Sequence, residues 1–211
     1  MKLFILTLFI LIATWIIWSA FAGDNLESPE YTVLEARQGY EIRRYQPYII
    51  AETTVSNDEP SMNSAFRILA GYIFGGNSID QNIAMTAPVT TEKIGESIAM
   101  TAPVATEKTN DGLTMSFMMP SQFNLENLPK PNSENISFKK VPAGKFAVLS
   151  FSGIVSEKIR LKKIEELRQL LEEDTIEFEN KAQLLQYDQP LVFPLLRTNE
   201  IKIEIISTDK S

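Results

Sequence analysis

The stretch Tyr48–Asn77, YIIAETTVSNDEPSMNSAFRILAGYIFGGN, reads as a strand followed at once by a helix. Ile49, Ala51, Thr53 and Val55 alternate with Ile50, Glu52 and Thr54, the period of a β-strand with β-branched enrichment. Neither set is strongly polar, so this strand is expected to be covered on both sides or nearly so. From Ser61 to Phe74 the period changes. Met62, Ala65, Phe66, Leu69, Ala70 and Ile73 fall on one helical face. Gly75-Gly76 should end that helix, because glycine takes a left-handed cap without steric cost.

A shift of 96 residues finds the same grammar again. It lays Glu41-Ile42-Arg43-Arg44-Tyr45 on Ser137-Phe138-Lys139-Lys140-Val141, each followed by a turn with Pro47 or Pro142. The second strand alternates Phe146, Val148 and Ser150 with Ala147, Leu149 and Phe151. The second helix, Glu157 to Glu172, carries the stripe Leu161, Ile164, Leu167, Leu170 and Leu171, with its charged residues on the solvated face. A strand closes each half: Leu113, Met115, Phe117 and Met119 in the first, Ile201, Ile203 and Ile205 in the second. The expected fold class is α+β: two pseudo-symmetric β-β-α-β-type repeats, about 31–119 and 136–206, forming a distorted antiparallel β-barrel flanked by two main helices. A cleft on the pseudo-symmetry axis is the natural ligand site.

A shorter duplication lies inside the first half. Ile83-Ala84-Met85-Thr86-Ala87-Pro88-Val89 recurs letter for letter as Ile98-Ala99-Met100-Thr101-Ala102-Pro103-Val104. With Gly95 between the copies, the local reading is a hairpin of two equivalent strands. Pro88 and Pro103 lack an N–H and belong at edges or bulges. Met85 and Met100 either fill irregular gaps in the core or line an apolar pocket.

Composition narrows the chemistry. The 211 residues include no histidine and no cysteine. That excludes Ser-His and Cys-His catalytic triads, Cys/His zinc sites, thiol redox chemistry and disulfides. A net charge of -7 argues against a nucleic-acid partner. Among the 27 acidic residues no pair stands out as general acid and base, and GxGxxG, P-loop and HExxH motifs are absent. No catalytic residue and no protein metal ligand are therefore assigned.

Residues 1–22 stand apart as a signal anchor or signal peptide. Leu3 to Ala22 is uncharged and preceded by Lys2. Its length suits an N-terminal apolar helix crossing a bilayer, with Trp15 and Trp18 near one interface. Ala20-Phe21-Ala22 instead suits cleavage before Gly23. Either reading exports the remainder of the chain to the extracytoplasmic, periplasmic side: a linker over 23–30, one domain over 31–206 and a tail over 207–211.

Four motifs in order carry a family resemblance: the doubled IAMTAPV element, AFRILAGYIFGGN (Ala65–Asn77), FMMPSQFNLENLPKPN (Phe117–Asn132) and PLLRTNEIKIEI (Pro194–Ile206). From about Tyr31 to Ile206 the chain resembles the SOUL haem-binding family. The resemblance implies a distorted barrel of two pseudo-repeats and non-catalytic binding of haem or another tetrapyrrole. It also implies an apolar groove along the first helix of the domain, built here from Met62, Phe66 and Ala70, with Arg67 available to a propionate. Met85 and Met100 would add to the pocket, and Tyr187 and Phe193 would close the far wall. Since histidine is absent, iron would have to take Tyr187, Met85 or Met100. Otherwise binding is mainly hydrophobic and tolerant of metal-free porphyrins or bilins. The alternative is a scaffold or effector-binding domain for another lipophilic small molecule. Glu41, Glu52 or Glu200 pointing inward without a basic partner would favour it.

Overall fold

The computed structural model describes residues 2–21, 26–56, 59–78, 95–109, 112–189 and 191–206. Its elements, in chain order, are α1 (Lys2–Phe21), β1 (Tyr31–Arg37), β2 (Tyr40–Tyr45), β3 (Tyr48–Val55), α2 (Glu59–Ile73), β4 (Asn77–Ser78), β5 (Val104–Thr109), β6 (Gly112–Met118), β7 (Lys130–Pro131), β8 (Ser137–Val141), β9 (Gly144–Ser152), α3 (Glu157–Glu173), β10 (Phe178–Gln186) and β11 (Thr198–Ile205). Nine strands form one antiparallel sheet in the order β1-β2-β9-β11-β10-β5-β6-β3-β8, and β4 pairs with β7.

Period-two alternation splits this sheet into two faces. On one face, Ala147 and Leu149 of β9, Ala182 and Leu184 of β10, and Ile201 and Ile203 of β11 pack under Ile164, Leu167 and Leu171 of α3. A second core on the β3–β6 side sets Ala51, Met115 and Phe117 under Ala65, Leu69 and Ile73 of α2. The alternate residues, Ile50, Glu52, Ser116, Met118 and Lys202 among them, face the other way and line a cleft. The sheet therefore curls with its helices outside and a concavity within.

Local chemistry sets the helix ends. Ser156 caps α3, its Oγ accepting from the Ile159 N–H at 3.3 Å. Gly75 ends α2 at φ +102, and a Cβ on Gly76 would sit 2.5 Å from the Gly71 carbonyl oxygen. Asn77 is fully buried beyond it. Its side chain donates to the carbonyls of Tyr72 at 2.7 Å and Glu96 at 2.8 Å, and accepts from the Glu96 N–H. The GGN motif thus fastens the end of α2 to residues 95–103.

Several expectations change. The sheet is open, with β1 and β8 as its edges, so the barrel is a curled half-barrel. The second copy of the duplicated element is not a strand of a hairpin. Residues 98–103 are irregular, with the Ala102–Pro103 peptide cis and an isolated bridge from Thr101 to Glu27. Their backbone donors go elsewhere: Ile98 N–H to the Ile73 carbonyl and Ala102 N–H to the Glu27 carbonyl, both 2.8 Å. The first copy, with Met85, lies outside the described residues. Part of the expected linker also docks on the domain, as Glu27 Oε1 accepts from the Ser121 N–H at 2.7 Å.

The expected membrane span gains no support. Helix α1 is 20 residues long, yet among the described residues no helix is long and apolar enough to cross a membrane. Its second half touches the domain. Trp15 Nε1 donates to the Leu191 carbonyl at 2.8 Å, and Ser19 Oγ accepts from the Phe193 N–H at 2.9 Å.

Candidate functional site

The residues expected to form one groove occupy three places. Met62 and Phe66 are 37% and 40% exposed on the outer side of α2. Phe66 meets Phe117 edge-on at 5.6 Å, so one side of its ring is anchored while the rest is open. Ala70 on the same helix and Met100 beneath it are half-buried, and Met100 packs into the α2 core. Arg67 is exposed, its Nε donating to the Asn63 carbonyl at 3.3 Å. These five residues share the α2 side of the sheet.

Tyr187 and Phe193 lie apart from α2. Phe193 packs edge-on against Trp15, with ring centroids 5.1 Å apart. Tyr187 follows β10 and lines the concave cleft, whose volume is ≈ 340 Å³. Its hydroxyl donates to Glu200 Oε2 at 2.6 Å. Glu200 also accepts at Oε1 from Arg43 Nη1 at 2.9 Å and from Ser150 Oγ at 3.0 Å. Arg43 reaches Glu41 Oε2 at 2.7 Å and stacks 4.3 Å from the centre of the Tyr31 ring. Burial above all, and then the facing Glu200 carboxylate, push the Tyr187 phenol far above its ordinary value. A phenolate ligand to iron is therefore disfavoured at Tyr187.

The cleft holds a group that the local sequence pattern does not single out. Lys202 projects from β11 between Glu200 and Glu204 and is 4% exposed. Its Nζ donates to Tyr48 Oη at 3.1 Å and sits 5.1, 5.7 and 4.7 Å from the ring centres of Tyr45, Tyr48 and Phe146. These distances are those of cation–π contacts. Ile201, Ile203 and Ile205 alternate with Lys202 and Glu204, and on a flat strand that second face meets solvent. The curl of the sheet covers that face, a long-range effect that no local pattern displays.

Arg197 and Asn199, by contrast, hold backbone. Arg197 Nε donates to the Val192 carbonyl at 3.0 Å, and Asn199 Nδ2 to the Gly153 carbonyl at 2.9 Å. Of the three carboxylates whose inward placement without a basic partner would favour another lipophilic ligand, Glu41 and Glu200 both pair with Arg43, and only Glu52 lines the cleft.

Against this geometry, the family model described as SOUL heme-binding protein matches residues 26–204. The chain belongs to the SOUL family. Solved structures similar to this SOUL chain include a hydrolase from Listeria innocua, 10% identical over 82% of this chain and 94% of that one, with TM-score 0.51. The C-terminal domain of EcmrR is 11% identical over 84% and 99%, with TM-score 0.51. EcmrR in a DNA complex is 13% identical over 80% and 57%, with TM-score 0.55. At these identities the likeness shows the fold alone: α+β, with a large curled antiparallel sheet and few helices. No curated protein matches the sequence of this SOUL chain.

A haem group, which the family description implies, fits these residues in part. The open stripe of Met62 and Phe66 suits a flat apolar macrocycle, and Arg67 suits a carboxylate. Of the residues expected as axial ligands, Met85 lies outside the described residues, and neither described one fits. Histidine is absent, Tyr187 is bonded to Glu200 on the other face of the sheet, and Met100 is packed in the core.

Proposed function

We propose that this SOUL domain is a non-catalytic binder of haem or a related tetrapyrrole, held by packing rather than by iron ligation. One observation carries the reading beyond the family match: Met62 and Phe66 stand open on α2, beside Arg67. Apolar side chains one helical turn apart with a cation beside them suit a flat ligand that has one anionic edge. The macrocycle would lie along this stripe with a propionate at Arg67, and no residue need supply an electron pair to iron. The concave cleft lies on the other face of the sheet, which leaves the outer face of α2 free for this role.

Titrating the full chain with haemin should give a saturable Soret shift with a dissociation constant of about 1 µM or tighter, equivalent to about -8 kcal/mol. Phe66→Glu should weaken it at least tenfold. An unchanged titration in that variant would move the site away from α2.

We further place the domain outside the cytoplasm. Support comes from the uncharged run Leu3–Ala22 behind Lys2 and the Ala20-Phe21-Ala22 pattern. Fractionation of cells making the intact chain should recover the domain from the extracytoplasmic fraction. Recovery in the cytoplasm with residues 1–22 retained would overturn this placement.

A further inference from the structure

The concave cleft joins a buried cation to apolar walls. Among the described residues, Lys202 is the one charged lining residue that is fully buried. Every other charged group there is more open: Glu179, Glu204, Lys139 and Lys181 are exposed, and Glu52 and Glu107 are half-buried. Glu107 already accepts from Gln183 Nε2 at 3.4 Å. Glu200, two residues before Lys202 on the same face, is taken by Arg43, Ser150 and Tyr187.

Among the described residues, the Lys202 ammonium has one hydrogen-bond acceptor, the Tyr48 hydroxyl, and no carboxylate within ion-pair distance. An ammonium has three donors, and a buried charge without a counter-charge is costly. Three aromatic rings offset part of that cost. They hold the cation at the floor of the cleft with donors to spare. Rim carboxylates in contact with water act weakly over distance, whereas a contact with an ammonium only 4% exposed is stronger. The sign of the floor therefore decides what the cleft takes.

We propose that this cleft is a second ligand site, separate from the α2 surface, for a small aromatic carboxylate. The anionic end meets the Lys202 ammonium and the ring lies against Ile50, Met118 and Leu185. The cavity of ≈ 340 Å³ sits at the small end of ligand pockets, so a body of one or two fused rings fits. A lipophilic cation, which an acidic cleft of this shape would favour, meets the wrong charge at the floor.

The test compares 1-naphthoate with protonated 1-naphthylmethylamine by calorimetric titration of the full chain. Naphthoate should bind at least tenfold more tightly than the amine. Lys202→Met, which keeps the apolar stem, should weaken naphthoate at least tenfold, and Lys202→Arg should restore most of it. Should the Met variant not fold, the comparison of the two ligands on the unaltered protein still decides. Equal or tighter binding of the amine would overturn the proposal, as would no naphthoate binding at millimolar concentration or undiminished binding by a folded Met variant. Haemin separates this site from the tetrapyrrole reading. Its Soret titration should be unaffected by Lys202→Met, and loss of both ligands together would merge the two sites and overturn the second.

Discussion

Glu200→Leu is expected to lower stability by about 3–5 kcal/mol, measured by urea denaturation. Glu200 and Arg43 are each only 5% exposed. Removing the carboxylate leaves the guanidinium buried with half-buried Glu41 as its remaining charged partner, at 2.7 Å. It also strips the hydroxyls of Tyr187 and Ser150 of their acceptor. Such a loss exceeds the worth of the pair, because most of it is the penalty for a buried guanidinium left with one partly exposed counter-charge and for two unpaired hydroxyls. Adding Arg43→Met should recover part of the loss, since no under-compensated guanidinium stays buried while the two hydroxyls stay unpaired. A single-variant loss below about 1 kcal/mol would show that water reaches this network.

Leu167→Ala and Leu69→Ala should each cost about 2.5–5 kcal/mol, the range for fully buried leucines. Leu167 is completely buried in the α3 core, and Leu69 likewise in the α2 core. The two clusters share no residue, so the losses should add to within about 0.5 kcal/mol in the double variant. Two separate cores under one sheet are what the fold description requires. A double variant that falls short of the sum by more than about 1 kcal/mol would mean the cores are coupled through the sheet.

Much of this framework was legible because its signals are local. The alternation from Ile49 to Val55 and the stripe from Met62 to Ile73 each needed only short-range periodicity, and β3 and α2 follow them. The same holds for β9 and α3 at the 96-residue offset. Strand β10 was harder to see, since Glu179-Asn180-Lys181 interrupts its apolar pattern where its register with β11 shifts. All of β1 is exposed, so it has no buried face for a pattern to report. The duplicated IAMTAPV misled in another way. Identical sequence suggested identical strands, but the donors of Ile98 and Ala102 go to Ile73 and Glu27, distant partners that only the folded chain supplies.

The candidate sites divide in the same manner. Met62, Phe66, Arg67 and Ala70 come from one helix, so helical spacing was enough to group them. Tyr187 and Phe193 were grouped with them by resemblance alone, and the curl of the sheet puts Tyr187 on the opposite face. Lys202 was hidden by the same curl. On a flat strand its position is wet, whereas here three aromatic rings from β2, β3 and β9 stand around it.

The central claim is that this SOUL domain holds a tetrapyrrole by packing, without a protein ligand to iron. Parallel titrations of the full chain with haemin and with metal-free protoporphyrin test it most directly. The account predicts saturable Soret changes for both, with dissociation constants within about threefold of each other, since removing the iron forfeits no bond. Haemin binding more than about tenfold tighter than protoporphyrin would contradict the claim, and so would the absence of saturation with either.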